Sequence, residues 1–475
     1  MGNDSLPFVT VEVEMPETYD LLIIGGGLPG LLGAVLAKSQ NPHWSVALVE
    51  KENLLGGNLV GEDALGDHFE LGTHLLQETG SAEIDRLLRE SVDPKHLLAL
   101  DSQVGDRVGT IQGGRAFENT GYPAVMEQDQ TLSKVILDEI IQIIRRNEAP
   151  LTSISELRST PLKEAAIQWF GESAWSSVVQ PIISAKFGLT DSLTGFVLEL
   201  ANLSRLQVAS EEIWQSNSHV DGFRARVAFP RQTHLPTKFR HDRKTLYSRE
   251  HGNKDFVLGL IERCTTLGVA LMPSCDILNL DPYATSMKVS RDGKVTELRF
   301  KRAISSLGVS ATGRLIGVSA AVQQRRISLH LVHVKLNKPM PSSVCYFYDH
   351  DHESSIFRIT NYAAFSDRLG DKRLTVELFN MADHDGSSII EYVKNSSALS
   401  SLLPQSFEVV SASCSKTLSL AVPTTQNVDE LLAQERLLSS QSAGVLAVCG
   451  VGTNGFRFFQ SETIKDITAL ITEMI

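Results

Sequence analysis

The residues best suited to chemistry stand near the amino end. Gly25-Gly26-Gly27-Leu28-Pro29-Gly30 satisfies G-x-G-x-x-G and follows directly on the run Tyr19-Asp20-Leu21-Leu22-Ile23-Ile24. Further on, His43-Trp44-Ser45-Val46-Ala47-Leu48-Val49 ends at Glu50. This pattern suits a dinucleotide. Gly25 allows a tight turn, Gly27 lets the backbone approach a pyrophosphate, and Gly30 lets a helix pack close to the sheet. The free N–H groups at the start of that helix offer partial positive charge to phosphate. Pro29 is acceptable at an early helical position, whose N–H has no use inside the helix. Glu50 can accept from ribose hydroxyls, and its charge would repel a 2′-phosphate, which disfavours NADP.

The elements that must position these residues are legible from the same stretch. Residues 19–24 read as a fully buried parallel strand, 31–39 as a helix carrying the small residues Gly33 and Ala34, and 43–49 as a second strand. The apolar stretch 21–37 has the length of a candidate membrane span. Its Gly25, Gly26, Gly27, Pro29, Gly30 and Gly33 fit a buried strand, a turn and a buried helix better.

Composition sets the wider frame. The chain has 475 residues, 42% hydrophobic and 21% charged, which suits a large folded protein of roughly two or three units at about 150 residues each. Lys+Arg number 44 and Asp+Glu 56, a net charge of −12. That balance argues against general nucleic-acid binding. A local basic patch at Lys238, Arg240, His241, Arg243 and Lys244 reads as a solvated loop, with an anionic ligand as the alternative. Cys264, Cys275, Cys345, Cys414 and Cys449 are odd in number and form no C-x-x-C, so neither a disulfide framework nor a zinc site is expected. The first residues are acidic and polar, unlike a secretory signal. The expectation is a cytoplasmic protein without a membrane span.

Beyond Glu50, the run Glu50-Lys51-Glu52-Asn53-Leu54-Leu55-Gly56-Gly57-Asn58 places a Gly-Gly pair just after the acidic tip. Here the chain resembles the FAD-binding superfamily that includes monoamine oxidase, protoporphyrinogen oxidase and UDP-galactopyranose mutase, in its mutase-like branch. The resemblance implies an α/β fold: a Rossmann-like FAD-binding domain of glutathione-reductase type with an inserted α+β substrate domain. It implies cofactor contacts from Gly25, Gly27, Leu28, Pro29, Gly30, Glu50, Lys51, Gly56, Gly57 and Asn58.

Three later segments extend the likeness. Phe69-Glu70-Leu71-Gly72-Thr73-His74 resembles the stretch that lies against the isoalloxazine, implicating Gly72, Thr73 and His74. Cys275-Asp276-Ile277 resembles the strand that returns to the nucleotide domain, with Ile277 on the adenine side. At the carboxyl end, Gly450, Gly455, Phe459 and Ser461 fall in a strand, loop and helix that resemble the element facing the flavin pyrimidine. Ser461 is a candidate N-cap, with Ile464, Ile467 and Leu470 on one helical face. A helix N-terminus there would stabilise negative charge on reduced flavin.

The resulting organisation has a tail at 1–16 and a discontinuous cofactor domain of 17–80, 220–310 and 420–475. A helical insertion spans 81–219, with helices expected over 131–146, 161–169 and 172–184. A β-rich substrate domain spans 311–419, with strands at 328–334 and 373–378. Candidate catalytic residues are His74, Arg358 and Tyr247. Arg358 could clamp an anion, since a guanidinium matches carboxylate and phosphate geometry. Tyr247 lies in Leu246-Tyr247-Ser248-Arg249-Glu250-His251-Gly252-Asn253, which resembles a "Y-P-x-x-G-G" stretch near the flavin, departing from it at Ser248 and Asn253. Tyr346, Tyr348, Tyr362 and Lys186 are further cavity candidates, or plain core.

The functional expectation is an FAD-dependent oxidoreductase with non-covalent FAD, acting through flavin N5 on a small polar biosynthetic molecule, sugar-derived or of another polar class. Two alternatives stay open: a redox-neutral nucleotide-sugar mutase, and a non-catalytic dinucleotide-binding module. Flavin chemistry asks little of side chains beyond placement and water exclusion, so no Ser/His/Asp or metal signature is needed.

Overall fold

The computed structural model describes residues 17–101, 107–146, 151–188, 190–318, 324–366, 368, 370–379, 381, 384–415, 417–442, 444–453, 456–457 and 459–474. The tail at 1–16 and Gly455 lie outside the described residues.

Tyr19–Ile24 carries no charge after Asp20, and it lies inside a seven-stranded sheet. Val46–Val49 pairs parallel on one side of it, with Ala270–Met272 beyond; the end of Lys294–Ser305 pairs parallel on the other. Leu446–Val448 adds a further parallel strand beside Ala303–Ser305. The first half of Lys294–Ser305 turns antiparallel into Ser286–Arg291, which pairs with Asp276–Asp281. Strands covered on both faces read as unbroken apolar runs. One face here carries the helices Leu28–Gln40, Asn253–Thr266 and Gln460–Met474, through Leu31, Val35, Phe256, Leu260, Ile464 and Ile467. The antiparallel strands fold over the other, through Leu280, Met287 and Phe300.

Gly33 sets how closely the first and last helices approach. A Cβ there would lie 2.5 Å from Ile467 Cδ1.

A second sheet of eight strands runs in the order Val409–Cys414, Arg326–Leu336, Arg373–Phe379, Ile356–Asn361, Tyr346–Asp349, Val108–Gln112 and Arg115–Phe117, with Leu418–Ala421 also on Arg326–Leu336. Its strands alternate, apart from irregularities between Ile356 and Arg358 and between Lys335 and Leu336. Val332, Val334, Phe347, Ile359, Leu374, Val376 and Leu378 point to a face covered by the helices Gly386–Lys394 and Ser397–Leu402. The alternate positions carry Tyr346, Tyr348, Arg358, Thr360, Thr375 and Glu377. A two-residue period thus makes one oily face and one polar face from the same strands.

The helical region holds Gln130–Arg146, Leu162–Phe170 and Gln180–Phe187 around buried Trp169 and Phe170. A wide π turn, Trp175–Val179, interrupts the helix expected over 172–184. Two features depart from the expected domain borders. Val108–Gln112 and Arg115–Phe117 leave the helical insertion to extend the second sheet. Phe223, Val227 and Phe229 pack in the helical core, so the packing does not change at residue 220. Neither could be read locally, because both depend on long-range partners. Among the described residues, no helix is long and apolar enough to cross a membrane.

Candidate functional site

The glycine turn is built by close backbone contacts. Gly25 has φ +103, and its N–H donates to Val49 O at 2.9 Å. A Cβ on Gly30 would stand 2.0 Å from Gly25 O, so only glycine lets the helix sit on the turn. Gly27 differs. Its φ of −68 suits any residue, and a Cβ there would meet only Pro29 Cδ at 3.8 Å. The space above Gly27 is therefore left open beside the first turn of the helix, which carries no acidic residue.

Other motif segments converge on this opening. Gly56 N–H donates to Gly26 O at 2.7 Å, and Gly27 and Gly56 form an isolated parallel bridge. Gly57, at φ +58, would bring a Cβ to 3.6 Å from Gly27 Cα. Glu50 Oε2 accepts from Gly26 N–H at 2.7 Å and Oε1 from Glu52 N–H at 2.9 Å. A carboxylate has about four lone-pair sites, so acceptor capacity remains. Glu50 O accepts from Cys275 N–H at 2.9 Å, placing the start of the Ile277 strand at the same tip. Ile277 is half-buried and packs on the sheet core.

The remaining cofactor candidates divide. Leu28 is 1% exposed and its side chain is core, so only its backbone faces the turn. Pro29 is half-buried at the helix start. Lys51 is exposed beside Glu52 at 3.4 Å, and Asn58 is exposed. Gly450, at φ +106, lies against Ser306, with a Cβ 2.9 Å from Ser306 O. Ser306 Oγ also donates to Ile24 O (3.1 Å) and Gly25 O (3.2 Å), and it ties both ends of the chain to the turn. Sequence reading missed it; the signal was a serine between the end of a strand and Gly308.

Ser461 is not the N-cap of the last helix. The helix begins at Gln460, and Ser461 is exposed in its first turn. Glu462 Oε2 instead accepts from Phe459 N–H at 3.2 Å, while Phe459 packs on Phe196 at 5.9 Å. Ser461→Ala should therefore change stability by less than about 0.5 kcal/mol, where a true cap would cost about 1 kcal/mol. Chemical denaturation of the two proteins measures the difference.

The His74 segment lies against the polar face of the second sheet. Glu377 Oε1 accepts from Thr73 N–H at 2.9 Å and from Thr73 Oγ1 at 3.1 Å. Arg358 donates to both oxygens of Glu377 at 2.8 Å, and Thr73 also meets Thr360. Gly72, at φ +103, passes directly beside the Glu377 carboxylate. Burial pushes the His74 imidazole down, against the opposing pull of Glu377, which favours the neutral ring. Although burial pushes the Glu377 carboxyl up, the Arg358 charge holds it below its usual range.

This geometry places the remaining candidates. The Arg358 fork is already filled by Glu377, and its remaining terminal nitrogen donates to Tyr348 OH at 3.4 Å, so Arg358 is not an open anion clamp. Tyr247 is 2% exposed and packs edge-on against Phe365 at 4.9 Å, within the core. Tyr362 and Lys186 are fully buried too; Lys186 Nζ donates to Asp351 O (3.0 Å) and Ser354 O (2.7 Å). Tyr346 and Tyr348 do stand on the polar face, half-buried.

The helix Asn253–Thr266 joins the two halves of the site. Val257 fills the space under Gly56, which is 2.5 Å from a Cβ built there, and the Asn253 side chain donates to His74 O. Asn253, a departure from the motif in sequence, has a structural task here.

Comparisons with known proteins agree with this arrangement. Residues 23–91 match the NAD(P)-binding Rossmann-like domain family. No curated protein matches the chain in sequence. A reduced UDP-galactopyranose mutase structure superposes with a TM-score of 0.70 at 16% identity, over 96% of this chain and 93% of that one. A candidate protoporphyrinogen oxidase from Exiguobacterium sp. 255-15 gives 0.64 at 14%, over 97% and 99%. A putrescine oxidase variant redesigned in its cofactor binding gives 0.58 at 14%, over 96% and 99%. The chain thus shares its α/β fold with the solved structures of a UDP-galactopyranose mutase, a candidate protoporphyrinogen oxidase and a putrescine oxidase, and its residues 23–91 match a Rossmann-like domain family.

Proposed function

We propose that the chain is an FAD-dependent oxidoreductase that holds FAD without a covalent bond and acts on a small polar biosynthetic substrate of sugar-derived type. The observation that carries this reading is the open space over Gly27 at the helix start, with Gly56 and Gly57 beside it. In this reading those backbones hold the diphosphate, Glu50 takes the ribose hydroxyls, and the Cys275–Ile277 backbone lies on the adenine side. The Gly72–His74 segment and the Gly450–Ser461 region would flank the ring system. A bound flavin supplies a two-electron acceptor at N5.

The chain's own residues orient the substrate and exclude water. Tyr346, Tyr348, Thr360 and the Arg358–Glu377 pair offer hydrogen-bonding groups on one sheet face, which favours a polar substrate over a hydrocarbon. A neutral His74 can accept or donate one proton at its ring. Non-covalent binding is supported by Cys449, the cysteine nearest the Gly450 loop. It is fully buried, and burial pushes its thiol up to about 12, far from the reactive thiolate.

The likeness to reduced UDP-galactopyranose mutase supports a second reading, redox-neutral chemistry on a nucleotide sugar. Purification decides the first point. The protein should be yellow, and acid precipitation should release FAD into the supernatant. A colourless protein that flavin cannot reconstitute overturns the proposal. Anaerobic bleaching by a substrate without added reductant supports net oxidation; turnover of a nucleotide sugar only after dithionite reduction supports the mutase reading.

A further inference from the structure

The basic segment at residues 238–244 has no part in the site described above, and the fold commits some of its charges locally. The Lys238 ammonium sits 4.7 Å from the centre of the Phe239 ring, and the Arg240 guanidinium donates to Leu235 O and Thr233 O. Arg243 differs. It is exposed and lies along the backbone at Gly80, where a Cβ would stand 3.5 Å from its Nε. Gly80 has φ +85, a conformation that glycine adopts without strain. Among the described residues Arg243 has no ion-pair partner.

Gly80 belongs to the wall of a cavity of about 380 Å³. The cavity lies between the segment entering the helix Ala82–Glu90 and the side of the last helix, Gln460–Met474. Gly80, Ser81 and Ile84 line one wall; Ile464, Lys465 and Ala469 line the other. Ile84 and Ile464 are each 1% exposed, which makes the inner part apolar. Lys465 is exposed and, like Arg243, has no ion-pair partner among the described residues. The Ser81 hydroxyl makes no cap bond to the helix it precedes. The neighbouring Asp85 carboxylate has donors of its own, Thr79 N–H at 2.6 Å, Thr79 Oγ1 at 2.9 Å and Gly80 N–H at 3.0 Å. Glu83, in the same first turn, offsets one of the two cations. No residue of the Gly27 opening lines this cavity.

We infer that this cavity is a second small-molecule site, which takes a free carboxylate with a compact apolar body: the body lies on Ile84 and Ile464, and the carboxylate meets Arg243 and Lys465 at the mouth. Its volume falls at the lower end of ligand sites, whose walls are mostly apolar with a few polar groups that fix orientation. Each half of such a ligand finds its own partner. Apolar area leaves water on Ile84 and Ile464 at about 25 cal/mol per Å². A guanidinium matches a carboxylate fork, and the ammonium adds a point charge. A neutral molecule of the same shape gains only the burial. A bare small anion gains only the exposed charge contacts, which salt screens.

The inference is independent of the flavin reading. Isothermal calorimetry on the whole chain tests it with 1-naphthoate as the probe, against 1-naphthalenemethanol and acetate at the same low salt. Naphthoate should bind one to one with a Kd below about 1 mM, at least about tenfold tighter than either control. The double variant Arg243→Gln with Lys465→Gln should weaken it by at least about tenfold and leave the neutral alcohol unaffected. Ala469→Trp, which fills the cavity from an exposed position, should abolish binding of both aromatic probes; Ser81→Phe fills it from the other wall should that variant not fold. Absence of saturable naphthoate binding overturns the inference, as does equal binding of the alcohol or of acetate, or binding that survives a filled cavity. Displacement of naphthoate by FAD would put the probe in the dinucleotide opening and overturn it too. A protein that binds naphthoate but no flavin would sink the flavin reading alone.

Discussion

Gly27→Val should give a folded protein that no longer retains a dinucleotide. The backbone at Gly27 already adopts an angle open to any residue, and a Cβ there meets no protein atom closer than 3.8 Å. A valine side chain would therefore occupy the opening rather than disturb the fold. A loss of at least about 100-fold in FAD affinity is expected, equivalent to about 3 kcal/mol. Circular dichroism and thermal melting of the apoprotein should match the wild type. Fluorescence titration with FAD should show the deficit. Gly30→Ala is the contrasting control: its methyl would stand 2.0 Å from Gly25 O, so it should lose the fold together with the ligand. Equal FAD affinity in Gly27→Val and wild type would refute the cradle.

Glu377→Ala should lower stability by about 2–4 kcal/mol, below the full penalty for an unpaired buried charge, because it leaves the half-buried Arg358 guanidinium without its counter-charge. It also removes the acceptor for Thr73 N–H. The double variant Arg358→Met with Glu377→Leu should recover most of this loss, since the charge that lacked a partner is gone. Urea unfolding at neutral pH reads both. The Glu377 carboxyl is held below its ordinary range, so the pair's stabilisation is present above that range and fades as the pH falls through its lowered value. The gap between wild type and Glu377→Ala should therefore narrow in acid. A gap that widens there would contradict the assignment.

What could be read from the chain follows the distance over which each signal acts. The turn at Gly25–Gly30, the strand before it and Glu50 beyond it form one short local unit, and all three appear as expected. The alternating run at residues 328–334 also signals its strand locally. Arg358 was misread because its partner is set by a cross-strand register opposite Glu377. Tyr247 and Lys186 have the composition of site residues, and only packing reveals them as interior groups. Ser461 failed by one residue of helix boundary, where a downstream carboxylate outcompetes the hydroxyl as cap. The 220 border failed because buried side chains of Phe223 and Val227 answer to helices far earlier in the chain.

The seat of Ile467 against Gly33 and the pairing of Leu446 with Ala303 also govern when the molecule can mature during synthesis. A ribosome must release almost the whole polypeptide before the amino-terminal unit acquires its final strand and helix. At about 5–20 residues per second, the earliest segment waits tens of seconds for its last neighbour. Newly made amino-terminal segments should consequently need chaperone cover during translation, and transcripts truncated shortly before codon 446 should yield protein that is degraded rather than stored.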